Sequence, residues 1–292
     1  MTQNPWRRAT VWITSIGLSV LLALIPFVRS SDASTPSVSA TTVTTTPTPT
    51  TATTTAVADT TALDEALANA GGKVSVSVTD LTSGATSTSG DSDHLFDTAS
   101  IVKVDILTAL LLKAQDEGRS LTANEKALAT GMIENSDNSA ATALFNEVGG
   151  ASGLTTANDR IGLTDTVVGT DGNWGLTETS SSDQIRLLEQ VFTSDSELSA
   201  ASRTYIRSLM GNVESSQRFG VTAAADDPQE AELKVGWLQR SATGLWVVDS
   251  IGMIEKDGHT YLVAVLSDGN TSYDGGVALI SAVAKAAVAA TI

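Results

Sequence analysis

Residues 245–267 read LWVVDSIGMIEKDGHTYLVAVLS. Leu245–Glu255 and His259–Ser267 are rich in branched and aromatic residues, and Lys256-Asp257-Gly258 stands between them. Such runs on either side of an Asp-Gly step predict two antiparallel strands joined by a hairpin. Just upstream, Glu232–Leu238 predicts a third strand, and downstream Gly276–Ala290 predicts a final apolar helix. The start of the folded part has a related pattern. Ala62–Ala70 places Leu63, Ala66, Leu67 and Ala70 at helical spacing and stops at Gly71-Gly72. Lys73–Leu81 alternates Val74, Val76 and Val78 with Ser75 and Ser77, which predicts a strand. Thr82-Ser83-Gly84 turns the chain, and Ala85–Ser89 returns as a second strand.

The middle changes period. Ile101–Glu117 predicts an amphipathic helix with Val102, Ile106, Leu107, Leu110, Leu111 and Ala114 as its buried stripe, closed by Gly118. Thr122–Ile133, Ser139–Val148, Ser180–Phe192 and Ser199–Met210 also read as helices. Helix and two strands, then helices, then three strands and a helix, define an α+β class. The expected architecture is an antiparallel five-stranded sheet flanked by helices, with an all-helical lobe inserted between strands two and three.

Composition limits what such a domain does. The chain has 292 residues and a formal charge of -16. Residues 1–29 hold Arg7, Arg8 and Arg29 and no acid, so the rest carries 14 basic and 33 acidic residues, a net -19. So acidic a surface repels phosphate backbones, and no nucleic-acid partner is expected. Cysteine is absent, which excludes disulfides, thiolate zinc sites, a Cys nucleophile and a lipid-anchored signal. The two histidines, His94 and His259, sit in no cluster of ligands, so neither a metal nor a cofactor is implied.

The N-terminal residues address the chain to a compartment. Arg7 and Arg8 precede Val11–Val28, a run without charge. Residues 1–29 therefore read as a signal peptide or an N-terminal membrane anchor, with 11–28 as the tether if it is retained. Residues 30–61 are almost all Thr, Ser, Ala, Pro and Val, too polar to offset their chain entropy by burial, and read as a disordered linker. Residues 62–292 form the folded domain. Either reading places it outside the cell or in the cell wall, and a monomer is expected.

Three short motifs carry potential chemistry. In Ser100-Ile101-Val102-Lys103, Ser and Lys share one helix face a turn apart. A serine hydroxyl needs a base to take its proton, and a lysine serves when burial lowers its pKa. Taken alone, the motif is read more simply as an N-cap serine and a surface lysine. Ser136-Asp137-Asn138 falls between two helices. Ser136 there is placed to relay a proton and Asn138 to offer its amide to a carbonyl, although all three residues also favour ordinary turns and caps. Lys234-Val235-Gly236-Trp237 lies on a strand. Lys234 there suits an anion, Gly236 suits the close approach of a ligand backbone, and the Trp237 N–H suits an oxyanion site with that of Ser100. An edge-strand lysine that blocks aggregation is the plainer alternative.

The three motifs fall in order at a helix start, an inter-helix loop and the first C-terminal strand. Together they resemble the serine β-lactamase and penicillin-binding-protein superfamily, most closely the class A-related serine hydrolases of actinobacteria. Trp174-Gly175, Lys234–Leu238 and Ser250-Ile251-Gly252 add to the likeness, which runs from about Ala62 to Ile292. The resemblance implies that Ser100 is acylated and that Lys103 is its general base. It implies that Ser136 relays a proton to the leaving nitrogen, that Asn138 orients the acyl side chain, and that Lys234 supports the substrate anion. Gly236 and Trp237 line the substrate, with Ser100 and Trp237 supplying the N–H pair. The implied partner is a small β-lactam or a peptidoglycan stem peptide.

The sequence departs from that family in two places. No Glu-x-x-Leu-Asn loop follows Asn138, and the nearest acids, Asp165, Asp171 and Glu178, do not match it. In the family that Glu activates the water that releases the acyl group, and loss of a general base typically slows its step by about 10²–10⁴-fold. Val235 replaces a Thr or Ser whose hydroxyl helps hold the substrate carboxylate. The expectation is a β-lactamase-like serine hydrolase that forms an acyl-enzyme on Ser100 from β-lactams or related D-Ala-type amides and releases it slowly, with a penicillin-binding D,D-peptidase-like protein as the alternative. Two rivals remain: an esterase built on Gly90-Asp91-Ser92 with His259, and a non-catalytic domain that binds cell-wall peptides.

Overall fold

A computed structural model describes residues 59–291. The expected signal or anchor at 1–29, and the linker at 30–61 as far as residue 58, lie outside the described residues. From Thr61 the chain forms helix α1 (Thr61–Ala68), strands β1 (Lys73–Asp80) and β2 (Thr86–Gly90), and a two-residue strand β3 (Phe96–Asp97). The helical lobe follows: α2 (Val102–Asp116), α3 (Ala123–Glu134), α4 (Asn138–Glu147) and α5 (Gly150–Ile161). Strand β4 (Glu178–Thr179) and helices α6 (Ser181–Phe192) and α7 (Ala200–Gly211) come next. Strands β5 (Glu232–Gln239), β6 (Trp246–Lys256) and β7 (His259–Asn270) and helix α8 (Tyr273–Ala290) close the chain.

The five long strands pair antiparallel in the order β2-β1-β7-β6-β5, the expected sheet with the helices inserted between its second and third strands. The hairpin between β6 and β7 turns on Asp257 and Gly258, with φ of 51° and 79°. Positive φ at both central residues is the twist-matched turn that an Asp-Gly step favours. Helix α8 is long and apolar enough to cross a membrane by composition. In the fold its apolar face (Gly276, Ile280, Val283, Ala284, Ala287 and Val288) is buried, and the helix packs on β6 and β7.

Three local features differ from expectation. Strand β1 alternates valine and serine, yet Ser75 and Ser77 are as buried as Val74 and Val76. Both serine hydroxyls sit 2.8 Å from Ser181 Oγ on α6. The polar face of the strand is therefore covered by a helix and satisfied by it, as burial of hydroxyls requires. Helix α2 was expected to bury one stripe and instead is buried nearly all round, Lys103, Asp105 and Thr108 included. Helices α3, α4, α5 and α7 surround it, so it is the core of the lobe rather than its surface. Helix α5 was not expected. Gly149 and Gly150, with φ of 100° and 64°, open it and break the helical pattern in the sequence. Its signal lies in Leu154, Asn158 and Ile161, buried at spacings of four and three.

The buried carboxyl of Asp105 has a measurable consequence. Burial, with Asp183 nearby, pushes its pKa from 3.8 up to about 7. The unfolded chain thus loses this proton at lower pH than the folded one, so the group's contribution to stability is lost as pH rises from about 4 to about 7. Asp105→Asn should stabilise the protein at pH 8 by about 4 kcal/mol more than at pH 4, read as the difference between urea-unfolding curves of variant and wild type. An equal change at both pH values would show that Asp105 is ionised in the native state.

Candidate active site

The chain enters the site from β3. The Thr98 N–H donates to Thr177 O at 2.7 Å, and Ala99 takes a φ of 44° before Ser100. A 3-10 turn, Ala99–Ile101, then runs straight into α2. A positive φ at a non-glycine residue is costly and persists only where the surroundings impose it. Strand β5 imposes it from the other side. A side-chain carbon on Gly236 would come within 2.6 Å of Thr98 O and 2.8 Å of Ser100 N. Gly236 therefore admits the chain's own Ser100 turn, where the sequence suggested the backbone of a ligand.

One helical turn beyond Ser100, Lys103 reaches four oxygens. Its Nζ lies 3.0 Å from Ser100 Oγ, 2.9 Å from Ser136 Oγ, 2.6 Å from Ser136 O and 2.8 Å from Asn138 Oδ1. An ammonium has three N–H groups for these four acceptors. A neutral amine also engages three of them, two through its N–H groups and one by accepting from a hydroxyl, so the geometry admits either form. Lys103 is fully buried, and burial pushes its pKa from 10.5 down to about 8, with Asp137 acting in the opposite direction.

Ser136 lies between α3 and α4 with a φ of 57°. Asp137 caps α4 through the Ala140 N–H at 2.8 Å, which fixes the loop. The Ser136 hydroxyl is also 3.1 Å from Lys234 Nζ. Lys234 is on the edge strand but fully buried, so the aggregation-blocking role does not apply to it. Burial, and then the charge of Lys103, push its pKa from 10.5 down to about 7. Ser100, Lys103, Ser136 and Lys234 thus form one continuous chain of hydroxyls and amines along which a proton can move.

Asn138 completes the Lys103 pocket through Oδ1. Its Nδ2 makes no hydrogen bond among the described residues, so it is free to donate. Trp237 follows Gly236, and its indole lies with Phe219 and Tyr273 at ring separations of 6.0 and 5.6 Å. That aromatic packing holds the edge strand beside the Ser100 turn. Val235 is buried in the core.

Sequence reasoning missed Trp174 as a site residue. Its ring lies over Lys103, with Nζ 5.1 Å from the ring centroid, and its Nε1–H donates to Thr142 Oγ1 at 3.1 Å. The Trp174-Gly175 pair was noticed in the sequence, but nothing in it tells which side chain the ring covers. The acids of the same loop lie elsewhere. Asp165 accepts from Ser180 Oγ at 3.2 Å, Asp171 is exposed, and Glu178 is an exposed member of β4. None of the three hydrogen-bonds to Ser100, Lys103, Ser136 or Lys234.

The esterase alternative does not assemble. Asp91 is paired with Lys73 at 2.5 Å, at the start of β1, and His259 Nδ1 is 2.8 Å from Asp80 Oδ2, at its end. The ends of an eight-residue strand are about 20 Å apart. Among the described residues no group of three or more His, Asp or Glu is placed to hold a metal.

The α+β architecture, an antiparallel five-stranded sheet with a helical insertion, is that of the class A β-lactamases. Among solved structures, the TLA-3 extended-spectrum β-lactamase is similar at a TM-score of 0.69 and 16% identity, covering 77% of this chain and 95% of that one. A class A β-lactamase from Bacteroides cellulosilyticus DSM 14838 gives 0.65 and 17%, covering 77% and 93%. An ancestral class A β-lactamase gives 0.64 and 21%, covering 77% and 97%. Identities this low speak for the fold alone. No curated protein matches the sequence significantly. The sequence does match the family described as the Beta-lactamase enzyme family over residues 59–126 and 123–291, and the chain belongs to that family.

The contact at Gly236 can be tested directly. Gly236→Ala should destabilise the protein by about 1–3 kcal/mol in thermal unfolding, because the backbone atoms it meets cannot move aside as a flexible side chain would. A stability equal to wild type would mean that β5 and the Ser100 turn are less closely packed than described.

Proposed function

We propose that this protein is a serine hydrolase that forms an acyl-enzyme on Ser100, acting on β-lactams or related D-Ala-type amides, and that it releases the acyl group slowly. The observation that carries this reading is the buried amine of Lys103 within hydrogen-bonding reach of both Ser100 Oγ and Ser136 Oγ. In the proposed step, neutral Lys103 takes the Ser100 proton as Oγ bonds to the carbonyl carbon. The N–H groups of Ser100 and Trp237 stabilise the resulting oxyanion. Ser136 then gives its proton to the leaving nitrogen and is reprotonated through its amine neighbours, and the C–N bond breaks. A bound substrate carboxylate raises the Lys234 pKa and draws that amine back to its charged form, while Lys103 stays neutral, and the free amide of Asn138 donates to the acyl side chain.

Slow release follows from what surrounds Lys103. Its four oxygen partners include no carboxylate, so no acid stands ready to activate water. This favours a penicillin-binding D,D-peptidase character over rapid β-lactam hydrolysis. The N-terminal sequence supports a role outside the cytoplasmic membrane, with residues 11–28 as a signal or tether and 30–61 as a spacer. A monomer facing the cell wall, where stem peptides are the natural ligands, fits this reading.

Incubating the full-length protein with a fluorescent penicillin should yield a covalent adduct by intact mass, absent in Ser100→Ala. No adduct with a β-lactam or a D-Ala ester would instead favour a peptide-binding domain without turnover. Lys103→Met should slow acylation by about 10²–10⁴-fold.

The pH dependence provides a separate check. The base works only when neutral, so the acylation rate should rise as pH rises through about 8. Asp137 raises the Lys103 pKa, so Asp137→Asn should move that rise to lower pH in stopped-flow acylation. A shift to higher pH would remove Lys103 from the role of base.

A further inference from the structure

We infer that Trp174 is a water-excluding cover over Lys103 that sets the lifetime of the acyl group on Ser100. The inference rests on the acyl-enzyme reading above.

Hydrolysis of the ester needs water at the acyl carbon. The water oxygen bonds to that carbon, the C–Oγ bond breaks, and one water proton ends on Ser100 Oγ. Some group must take the other proton as the water attacks. No carboxylate among the described residues hydrogen-bonds to Ser100 or Lys103, Asp137 being engaged with the Ala140 N–H, and the amine beside Ser100 Oγ is Lys103. To serve, Lys103 would have to touch the water. Its directions are already filled: Ser100 Oγ, both oxygens of Ser136 and Asn138 Oδ1 take Nζ on one side, and the Trp174 indole covers another. The amine has no exposed surface at all. An apolar ring on that flank lets Lys103 take a proton from the adjacent Ser100 hydroxyl but offers a water no place to hydrogen-bond.

The cover is held in place. The indole N–H is tied to Thr142 on α4. The loop that carries it is closed by Asn173 N–H to Thr170 O at 2.9 Å, Leu176 N–H to Asn173 O at 2.9 Å and Thr177 N–H to Trp174 O at 3.1 Å. At Gly169 a side-chain carbon would lie 2.2 Å from Asn173 O, so the loop is folded tightly on itself. Thr177 O accepts from Thr98 N–H, which fastens the same loop two residues before Ser100. The ring and the nucleophile are thus mounted on one another. Trp174 acts as a positioning residue, because it touches Lys103 and not the reacting carbon.

The test separates the two halves of the reaction. Full-length wild type, Trp174→Phe and Trp174→Ala are acylated with a fluorescent penicillin, the excess is removed, and the adduct is followed by intact mass. Trp174→Ala should shorten the adduct's lifetime by about tenfold, less than a positioned base would give, while Trp174→Phe stays close to wild type. Thr142→Val, which frees the indole without removing it, should give an intermediate lifetime and serves if the alanine variant does not fold. Unchanged or longer lifetimes in Trp174→Ala, or in Thr142→Val in its place, would overturn the role of the cover while leaving the acyl-enzyme intact. Rapid hydrolysis of the penicillin by wild type, with no adduct accumulating, would also overturn it. Wild type that neither forms an adduct nor hydrolyses the penicillin would overturn the acyl-enzyme reading itself.

Discussion

Two lysine side chains, Lys103 and Lys234, are buried within 3.1 Å of a single serine hydroxyl, that of Ser136. Burial of a charged ammonium is expensive, and two that face each other repel. The protein meets this constraint by lowering both pKa values toward neutrality, to about 8 and about 7. An amine that is easily neutral is also a usable base. In the proposed reaction, the burial that opposes charge on Lys103 is therefore the property that equips it to activate Ser100. The two lobes have to close on these amines for that to happen: Lys103 comes from the central helix, Ser136 from the lobe's loop and Lys234 from the sheet.

The same closure is visible in the backbone. Ala99 and Ser136 both adopt positive φ, one immediately before Ser100 and the other between the two amines. Neither residue type favours that conformation. Thr98 is tied to Thr177, Gly236 lets β5 lie against the turn, and Asp137 caps the helix after Ser136. These contacts hold the oxygens to distances that flexible loops would not keep, as a preorganised site requires.

A core helix that carries Lys103 and Asp105 as well as leucines is not built for maximum stability. Each buried ionisable group opposes folding unless it is neutral or paired. Asp105, held protonated into the neutral range, has no evident part in the chemistry, and nothing in the structure explains why an amide would not serve. Lys103 and Lys234 differ in that the proposed reaction uses their altered pKa values. Such groups are not confined to the site: Asp249 on β6 is also fully buried, and burial raises its pKa well above the usual carboxylate range.

Much of this was legible in the residues. Alternation, helical spacing and the Asp-Gly step determined the strand order in sequence, the principal helices and the hairpin, because these depend on neighbours along the chain. Ser100, Lys103, Ser136 and Lys234 were recognisable from their spacing and order, and the absence of a matching acid after Asn138 was apparent too. What surrounds them was not. Whether Lys103 is exposed or buried, whether Gly236 meets a ligand or the Ser100 turn, and whether the indole of Trp174 covers an amine are questions of contact between segments far apart in sequence. Helix α5 and the burial of both faces of β1 were hidden for the same reason, since other elements supply their cover. The sequence by itself determined which groups are present and on what local structure. Only the tertiary structure decided their solvation, and with it the pKa values and the access of water on which the chemistry depends.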